Sequence, residues 1–426
     1  MQKMKDSGTI WLGQIPESWR ISKISGLYKL RIQKVSDRDY KPLSVTMKGI
    51  VPQLDSAAKT NAHDDRKLVK KGDFVINSRS DRRGSCGISD YDGSVSLINT
   101  VMEPRNTMNP NYYNWLFHTV QFSDEFYKWG HGIVNDLWTT NWQDMKHIDI
   151  PVPSLSEQEK IALFLDSKCA EIDELYIDIQ KQIEILEEYK KAFITETVTK
   201  GLDSDAEMKD SGIDYIGEVA KDADIFRLKF FSYMKGRIGW QGLKATDFIE
   251  VGPYCVTGTD FIDGKVNWDT CYHVSEERYA MDSNIHIQEG DLLMTKDGTI
   301  GKLAIIDKLP DKACLNSHLL IIRPLENKYT NKYLFYVMKS HIFSKYYTIV
   351  SSGSTMDSLS QEKTGNFAIP AYTIEKQKKI VEYLDEKCLD LDEAIKEKKK
   401  QLETLEEYKK SFIHEYVTGK KEVPAK

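Results

Sequence analysis

The feature that most constrains this chain is a long helix-like stretch that occurs twice. In residues 156–201, apolar side chains recur at intervals of three and four, and neither proline nor glycine interrupts the run before Gly201. This spacing is typical of one face of an α-helix. Ser156 and Glu159 predict a capping box at its start, and Gly201 predicts a cap at its end. At ~1.5 Å per residue the helix would be about 65 Å long, so it needs a partner along its length.

The same chain contains that partner. Residues 369–420 align without gaps on residues 150–201 at an offset of 219, and 25 of the 52 aligned positions are identical. Two similar helices with one apolar stripe each are expected to bury those stripes against one another as a coiled coil. The predicted pairing residues are Ile161, Leu165, Cys169, Ile172 and Leu186 in the first copy and Ile380, Leu384, Cys388, Leu391 and Leu405 in the second.

The repeat continues outside the helices. Residues 5–13 recur as residues 209–217 at an offset of 204, so the second globular part has about 15 additional residues. The predicted order is a globular domain (1–150), a long spacer helix (151–203), a second globular domain (204–368) and a second spacer helix (369–426). The C-terminal segment would lead naturally into the N-terminal one, which predicts a quasi-two-fold arrangement with neighbouring chain ends.

Composition indicates a soluble protein with more than one domain. Of its 426 residues, 40% are hydrophobic and 29% are charged. No apolar run approaches the ~18 residues of a membrane span, and the N-terminus does not resemble a signal peptide. Six cysteines without a CxxC pair predict reduced thiols in the cytoplasm. The net charge of −6 argues weakly against nucleic acid, but lysine and arginine gather in short loops, which leaves room for a local basic surface.

Two patterns resemble ligand sites and are incomplete. Residues 297–302 (DGTIGK) resemble a phosphate-binding loop, but Lys296 stands where the pattern needs glycine and Leu303 where it needs serine or threonine. Cys271 with His273, and Cys314 with His318, offer two ligands each, whereas zinc needs four. We predict no metal site and no cofactor in this chain.

A nuclease is a further alternative. Asp311, Glu326 and Lys328 fit the loose pattern of a metal-dependent nuclease, whose carboxylates should lie on adjacent strands. Here Glu326 and Lys328 follow Arg323-Pro324 in a predicted turn, and the first half of the chain has no counterpart. We therefore predict no catalytic residue.

The globular parts are predicted to be strand-rich α+β domains that share an outline and differ in their loops. Residues 40–51 and 71–77 predict strands, and residues 110–120 predict a helix. A common frame with different loops is typical of two recognition modules for two targets.

Basic residues and glycines cluster in those loops. Glycine lets the backbone approach a phosphate, lysine and arginine neutralise it, and arginine can bind O6 and N7 of guanine. The alternative is that these are ordinary solvated turns. Because the clusters occur in both halves, we predict DNA contacts from Lys48, Arg79, Arg82 and Arg83 in the first domain and from Lys235, Arg237, Trp240, Lys244, Lys296, Thr299 and Lys302 in the second.

The whole arrangement resembles the specificity (S) subunit of type I restriction-modification systems, the HsdS family. The likeness covers almost the entire chain, and the duplicated helical block with LEEYKK is its most specific part. Further matching motifs are KDSG..WLG.IPESW at 5–19, KGDFVINSR at 71–79, GRIGWQGL at 236–243, VTGTDF at 256–261 and GDLLMTKDGTIG at 290–301. The second half departs at residues 216–219, where the expected IPxxW is missing.

The resemblance implies two target recognition domains joined by two antiparallel helices, with each domain binding one half of a split DNA site. The helices would set the distance between the halves. The subunit would be non-catalytic and would dock two adenine-N6 methyltransferase subunits, which use S-adenosylmethionine, and ATP- and Mg-dependent restriction subunits. A coiled-coil scaffold whose globular ends bind proteins is the alternative from another class.

Overall fold

The computed structural model describes residues 3–54, 63–132, 138–237, 243–351 and 358–424. The chain forms two compact units: Met1–Gln180 with Lys399–Lys426, and Lys181–Lys398. Each unit contains one globular domain together with a part of each long helix. The predicted boundaries at 150, 203 and 368 lie close to the ends of the long helices, so they separate helices from globular parts and do not separate the two compact units.

The described residues form short strands and two very long helices. The strands of the first half are β1 (Met4–Asp6), β2 (Gln14–Pro16), β3 (Arg20–Lys23), β4 (Tyr28–Leu30), β5 (Lys34–Val35), β6 (Leu43–Thr46), β7 (Gly49–Pro52), β8 (Arg66–Val69), β9 (Phe74–Asn77), β10 (Cys86–Ile88), β11 (Gly93–Val95), β12 (Asn99–Pro104) and β13 (Asp149–Val152). The strands of the second half are β14 (Met208–Asp210), β15 (Glu218–Ala220), β16 (Asp224–Arg227), β17 (Ser232–Lys235), β18 (Phe248–Val256), β19 (Phe261–Ile262), β20 (Lys265–Val266), β21 (Tyr272–Val274), β22 (Leu292–Thr295), β23 (Leu303–Ile305), β24 (Ala313–Leu315), β25 (Leu319–Pro324) and β26 (Ala368–Ala371). The helices are α1 (Ile24–Leu27), α2 (Pro110–Phe117), α3 (Val120–Lys128), α4 (Trp142–Met145), α5 (Leu155–Lys200), α6 (Glu276–Ala280), α7 (Asn331–Lys339), α8 (His341–Ser351), α9 (Gln361–Asn366) and α10 (Ile374–Val417).

Both domains contain the same four-stranded antiparallel sheet. Its order is β10-β9-β12-β4 in the first domain and β23-β22-β25-β17 in the second. A three-stranded sheet accompanies it in each case, with order β11-β8-β5 in the first domain and β21-β18-β24 in the second. The hairpin β14–β15 forms in the same way as β1–β2, although it lacks the IPxxW motif. The α+β class and the internal repeat are thus confirmed.

Two predicted elements of the first domain are each interrupted. The strand expected over residues 40–51 is the hairpin β6–β7, which turns at Met47 and Lys48. The helix expected over residues 110–120 ends at Phe117, and α3 begins at Val120 after Thr119 accepts a hydrogen bond from the Phe122 amide. Local hydrogen bonds of Thr46 and Thr119 close these turns. The spacing of hydrophobic residues does not reveal such bonds, so the interruptions were not predicted.

Each four-stranded sheet carries a bidentate arginine–aspartate ion pair. Asp73 and Asp291 occupy matching positions just before β9 and β22, and their side chains are almost fully buried. Asp73 accepts from Arg31, which follows β4, whereas Asp291 accepts from Arg323 in β25. The carboxylate position is retained while its cationic partner comes from a different strand. Removing one partner of such a pair leaves a buried charge uncompensated.

Capping residues define both long helices. Ser154 and Glu157 form reciprocal hydrogen bonds at the start of α5, so the capping box lies two residues before the predicted one at Ser156 and Glu159. Past the last turn, Gly201 adopts φ +79°, as predicted for a C-terminal cap, and Gly419 follows α10 with φ +70°.

Within the first unit the two long helices run antiparallel. Phe164 packs against Phe412 with ring centroids 5.8 Å apart. Further along α5, the Lys409 ammonium lies 2.5 Å from the Asp173 carboxylate, and the Tyr176 hydroxyl donates to Glu406. Partner numbers fall on α10 as they rise on α5, so the helices point in opposite directions.

The second unit repeats this geometry with the roles of the helices exchanged. Lys190 of α5 pairs with Asp392 of α10 at 2.5 Å, in the positions that correspond to Lys409 and Asp173. Phe193 packs against Tyr383 with centroids 5.7 Å apart. The antiparallel pair of long helices is thus found in both units.

The apolar stripe has two kinds of neighbour. None of the predicted pairing residues is exposed, and Ile172, Leu186, Leu391 and Leu405 are partly buried. Ile161, Leu165 and Cys169 belong to the core of the first domain, and Ile380, Leu384 and Cys388 belong to that of the second. The outer parts of each stripe therefore bind a globular domain as well as the other long helix, a role that periodicity alone does not reveal.

Candidate nucleic-acid interface

The predicted basic loops occupy equivalent places in the two domains. Residues 78–85 connect β9 to β10, and residues 296–302 connect β22 to β23. Asn77 pairs with Asn99, and Thr295 pairs with Leu319, so both loops project from the sheet end where the neighbouring strand β12 or β25 begins. The same structural position thus carries three arginines in one domain and two lysines with a threonine in the other.

The arginine loop of the first domain has a fixed backbone. The Arg79 carbonyl accepts hydrogen bonds from the Tyr127 hydroxyl and the Arg82 amide, and the Arg82 carbonyl accepts from the Ser85 amide. Burial raises the pKa of Tyr127, which keeps that hydroxyl protonated as a donor. Gly84 adopts φ +76°, a conformation that favours glycine. Little backbone ordering is left to be done when a ligand binds.

Two aspartates lie among the three arginines. Asp81 is 3.1 Å from Nε of Arg79, and Asp124 contacts a terminal nitrogen of Arg83. The Arg83 guanidinium also lies over the Tyr127 ring, 5.5 Å from its centroid. Sequence reasoning missed both aspartates, and Asp124 lies on α3, where no local signal marks it as a neighbour of the loop.

Lys48 lies beside the arginine loop. It is exposed at the tip of the β6–β7 hairpin, next to Met47, whose terminal methyl would lie 4.0 Å from a Cβ placed on Gly84. The hairpin approaches β10 closely: a Cβ placed on Gly87 would lie only 2.8 Å from the Cα of Gly49. The structure thus brings the tip with Lys48 next to the loop that carries the arginines.

In the second domain, Lys235, Lys296 and Lys302 converge at one end of the sheet. Lys235 ends β17, Lys296 follows β22, and Lys302 precedes β23. The Lys296 ammonium would lie 3.4 Å from a Cβ on Gly236. Thr299 is exposed at the tip of the same loop, and the Thr295 hydroxyl donates to its carbonyl. His318, which was not among the residues predicted to contact DNA, contacts the Asp297 carboxylate at this end of the sheet.

Three further predicted residues have different outcomes. Arg237 is 3% exposed; its Nε donates to the Leu315 carbonyl at 2.9 Å, and its Nη2 lies 3.5 Å from Cys314 Sγ. This corrects the prediction of a DNA contact, because the guanidinium is used inside the domain. Lys244 is exposed beside Asp247, whose carboxylate accepts from the Lys244 amide. Trp240 lies outside the described residues.

The alternative ligand sites do not assemble. Asp311 precedes β24 in the three-stranded sheet, whereas Glu326 follows β25 in the four-stranded sheet, so the nuclease pattern is not on adjacent strands of one sheet. Residues 297–302 connect two strands, whereas a phosphate-binding loop leads into a helix. Across the described ranges, no group of three or more His, Cys, Asp or Glu side chains could hold a metal ion.

An aromatic groove follows the long helices of the first unit. It is lined by Phe164, Ile172, Leu175, Tyr408 and Phe412, and Leu175 and Tyr408 are about half exposed. The second unit carries Tyr189, Phe193 and Tyr383 at the positions that match the three aromatic residues. Phe193 packs against both Tyr189 and Tyr383. Each unit thus presents an aromatic cluster on the helix pair.

Comparison with known proteins agrees with this architecture. The family model described as the type I restriction modification DNA specificity domain matches residues 16–188 and 240–405. The type I restriction enzyme MjaVIII specificity subunit of Methanocaldococcus jannaschii is 24% identical over 426 residues, which covers 96% of this chain and 94% of that protein. A chain from a solved structure that concerns complex assembly and conformational transition of the type I R-M system has a TM-score of 0.70 at 14% identity, covering 95% of this chain and 98% of that one.

The duplicated domains and the shared helix pair are those of a two-domain DNA specificity protein. The chain belongs to the type I restriction modification DNA specificity family, whose model matches both halves. Among the helices of the described ranges, none contains an apolar stretch that could span a membrane.

Proposed function

We propose that this chain is the specificity subunit of a type I restriction-modification enzyme and that each domain recognises one half of a bipartite DNA site. The observation that carries the proposal is the equivalence of the loops at 78–85 and 296–302. Each loop projects from the corresponding end of the four-stranded sheet of its own domain, and the two loops present different side chains. Two copies of one frame with different loop chemistry suit an asymmetric site.

The long helices give the proposal its spacing element. Half-sites on one face of B-DNA lie about 34–36 Å apart when they are separated by one helical turn. A pair of helices that is continuous through residues 155–200 and 374–417 holds a separation better than a flexible linker does. We propose that these helices set the number of base pairs between the two half-sites.

The partners follow from the same duplication. The aromatic clusters on the helix pair, one in each unit, suit docking of two copies of one partner, the adenine-N6 methyltransferase subunit. We propose that these subunits carry S-adenosylmethionine, that ATP and Mg belong to restriction subunits, and that the complex acts in the cytoplasm. The chain itself contributes DNA recognition and no catalytic group.

Mapping methylated adenines tests the proposal. The chain is expressed with its methyltransferase partner in cells without other adenine methylation, and methylated sites are sequenced genome-wide. A bipartite motif with a fixed spacer is expected. A variant with Arg79, Arg82 and Arg83 changed to Ala should impair one half-site only.

Three outcomes would count against the proposal. If the triple variant lost specificity for both half-sites of the DNA, separate recognition by the two domains would be contradicted. The absence of any motif, together with no salt-sensitive DNA binding by the complex, would favour a protein-binding scaffold. Metal-dependent cleavage by the isolated chain that is lost on changing Asp311 or Glu326 would favour a nuclease.

A further inference from the structure

We infer that Arg82 is the base-recognising arginine of the first domain and that it binds a guanine, whereas Arg79 and Arg83 hold the loop in place. The inference rests on the proposed function and assigns different roles to three neighbouring arginines that the sequence does not distinguish. It follows from which hydrogen-bond donors of each guanidinium are already used within the protein.

Arg79 and Arg83 are held by neighbouring side chains. Nε of Arg79 is 3.1 Å from the Asp81 carboxylate, and only 37% of its side chain is exposed. Arg83 contacts Asp124 through Nη2, lies 3.4 Å from the Ser123 hydroxyl through Nε, and stacks on Tyr127. Binding a base edge with two parallel N–H donors would require Arg83 to give up a charge-assisted contact.

Arg82 has a fixed backbone and a mostly exposed side chain. Its amide donates to the Arg79 carbonyl at 3.2 Å, and its carbonyl accepts from the Ser85 amide at 3.0 Å. Its side chain is 68% exposed, and the one ion pair found for it in the described part of the chain joins Nε to Asp81 at 3.8 Å. A fixed backbone, together with a mostly exposed guanidinium whose terminal nitrogens have no ion pair in the described part of the chain, meets the requirement of a preorganised group with unused donors.

The surroundings of Arg82 suit a DNA groove. The Met47 methyl lies 4.0 Å from a Cβ placed on Gly84, two positions after Arg82, and the exposed Lys48 follows Met47, so the hairpin beside the loop carries a further positive charge. The fork of two parallel donors on a guanidinium matches O6 and N7 of guanine, the pair of acceptors that guanine presents in the major groove. A lysine at this position would keep the charge and lose the fork. In the second domain the corresponding loop carries Thr299 and two lysines, so the same contact is not expected there.

Charge-conserving variants provide the test. Arg82→Lys, Arg83→Lys and the wild-type chain are each assembled with the methyltransferase partner, and methylated adenines are mapped genome-wide. The half-site of the first domain is the one altered by the Arg79, Arg82 and Arg83 triple Ala variant. Wild type should show a guanine in that half-site. Arg82→Lys should reduce the preference for that guanine by about 5- to 150-fold, the effect of losing one bidentate contact, while the second half-site and the spacer stay unchanged.

Arg83→Lys serves as the matched control. Its ammonium can still pair with Asp124, so the motif should be retained with the guanine preference intact. A motif unaltered in Arg82→Lys, a first half-site without guanine, or loss of the guanine preference in Arg83→Lys instead would each overturn the assignment. A wild-type complex that produces no bipartite motif would reject the proposed function itself, and the assignment with it.

Discussion

The hydroxyl of Tyr112 donates a 2.7 Å hydrogen bond to the carbonyl of Val417, 305 positions further along the chain. The hydroxyl of Tyr333, at the matching place in the second domain, lies within hydrogen-bonding distance of two carbonyls, that of Val198 at 3.2 Å and that of Pro370 at 3.0 Å. Each tyrosine thus holds the last turn of a long helix, the first domain using the end of α10 and the second the end of α5. Carbonyls in the last turn of a helix lack intrahelical partners, so these bonds satisfy groups that would otherwise be unpaired.

Removing the Tyr112 hydroxyl should destabilise the first unit. Tyr112→Phe leaves a buried carbonyl without its donor, which costs about 1–2 kcal/mol. Urea unfolding followed by fluorescence provides the measurement. Tyr113→Phe is the matched control, because the adjacent buried Tyr113 hydroxyl has no hydrogen-bond partner in the described structure. Equal losses in both variants would contradict a specific role for the Val417 contact.

The apolar stripe allows a second comparison on a single helix. Leu165 is fully buried against the core of the first domain, whereas Leu163 is 71% exposed two positions earlier. Leu165→Ala should reduce the free energy of unfolding by about 2–5 kcal/mol, and Leu163→Ala by less than about 0.5 kcal/mol. Chemical denaturation of both variants checks this, and a larger loss in Leu163→Ala would show that the stripe is placed on the wrong face.

His414 predicts a loss of stability in mild acid. It is 8% exposed, its Nε2 lies 2.9 Å from the Lys420 ammonium, and burial together with that charge lowers its pKa to about 4. The unfolded imidazole titrates near 6.5, so the unfolded state takes up a proton first as the pH falls. The contribution of His414 is therefore present above pH 6.5 and is lost progressively towards pH 4, by at most about 3 kcal/mol.

Replacing His414 separates this effect from other titrations. His414→Thr introduces the residue found at the matching position of the first helix, Thr195. The difference in melting temperature between wild type and variant should shift in favour of the variant as the pH falls from 6.5 to 4. A difference that does not change with pH would contradict the predicted titration.

The lysines of the second domain should affect the salt dependence of DNA binding. Lys296→Gln or Lys302→Gln should each reduce the slope of log affinity against log salt by about 1, the change expected when one phosphate contact is lost. Fluorescence anisotropy of the complex with its methyltransferase partner gives the slope. Lys221→Gln is the control, because Lys221 pairs with Glu207 on the β14–β15 hairpin. A slope that does not change in either loop variant would remove these lysines from the interface.

The long helices were predictable because their information is local and repeated. Hydrophobic spacing, a glycine cap at Gly201 and an offset of 219 between the copies are visible in the sequence. The structure places two ion pairs, Lys190–Asp392 and Lys409–Asp173, at matching positions of the two copies. The frame of the domains was visible as short strand patterns around common motifs.

The details of the interface depend on contacts between distant positions, and sequence reasoning could not supply them. Arg237 lies in a segment with the composition of a basic loop, but its guanidinium donates to a carbonyl 78 positions away. Arg83 contacts Asp124 on α3, which begins only after three further strands and α2. Burial and partners of a charged side chain follow from packing, which local composition does not encode.

Changing the length of both spacer helices tests the central claim most directly. Seven residues that continue the apolar pattern are inserted after Gln180 in α5 and after Lys398 in α10, two helical turns that keep the stripes in register. The helices lengthen by about 10 Å, which corresponds to about three base pairs at 3.4 Å each. Methylated adenines are then mapped for the complex. The account predicts both half-sites with the same bases and a spacer that is longer by about three base pairs. Retained methylation with the original spacer would contradict it.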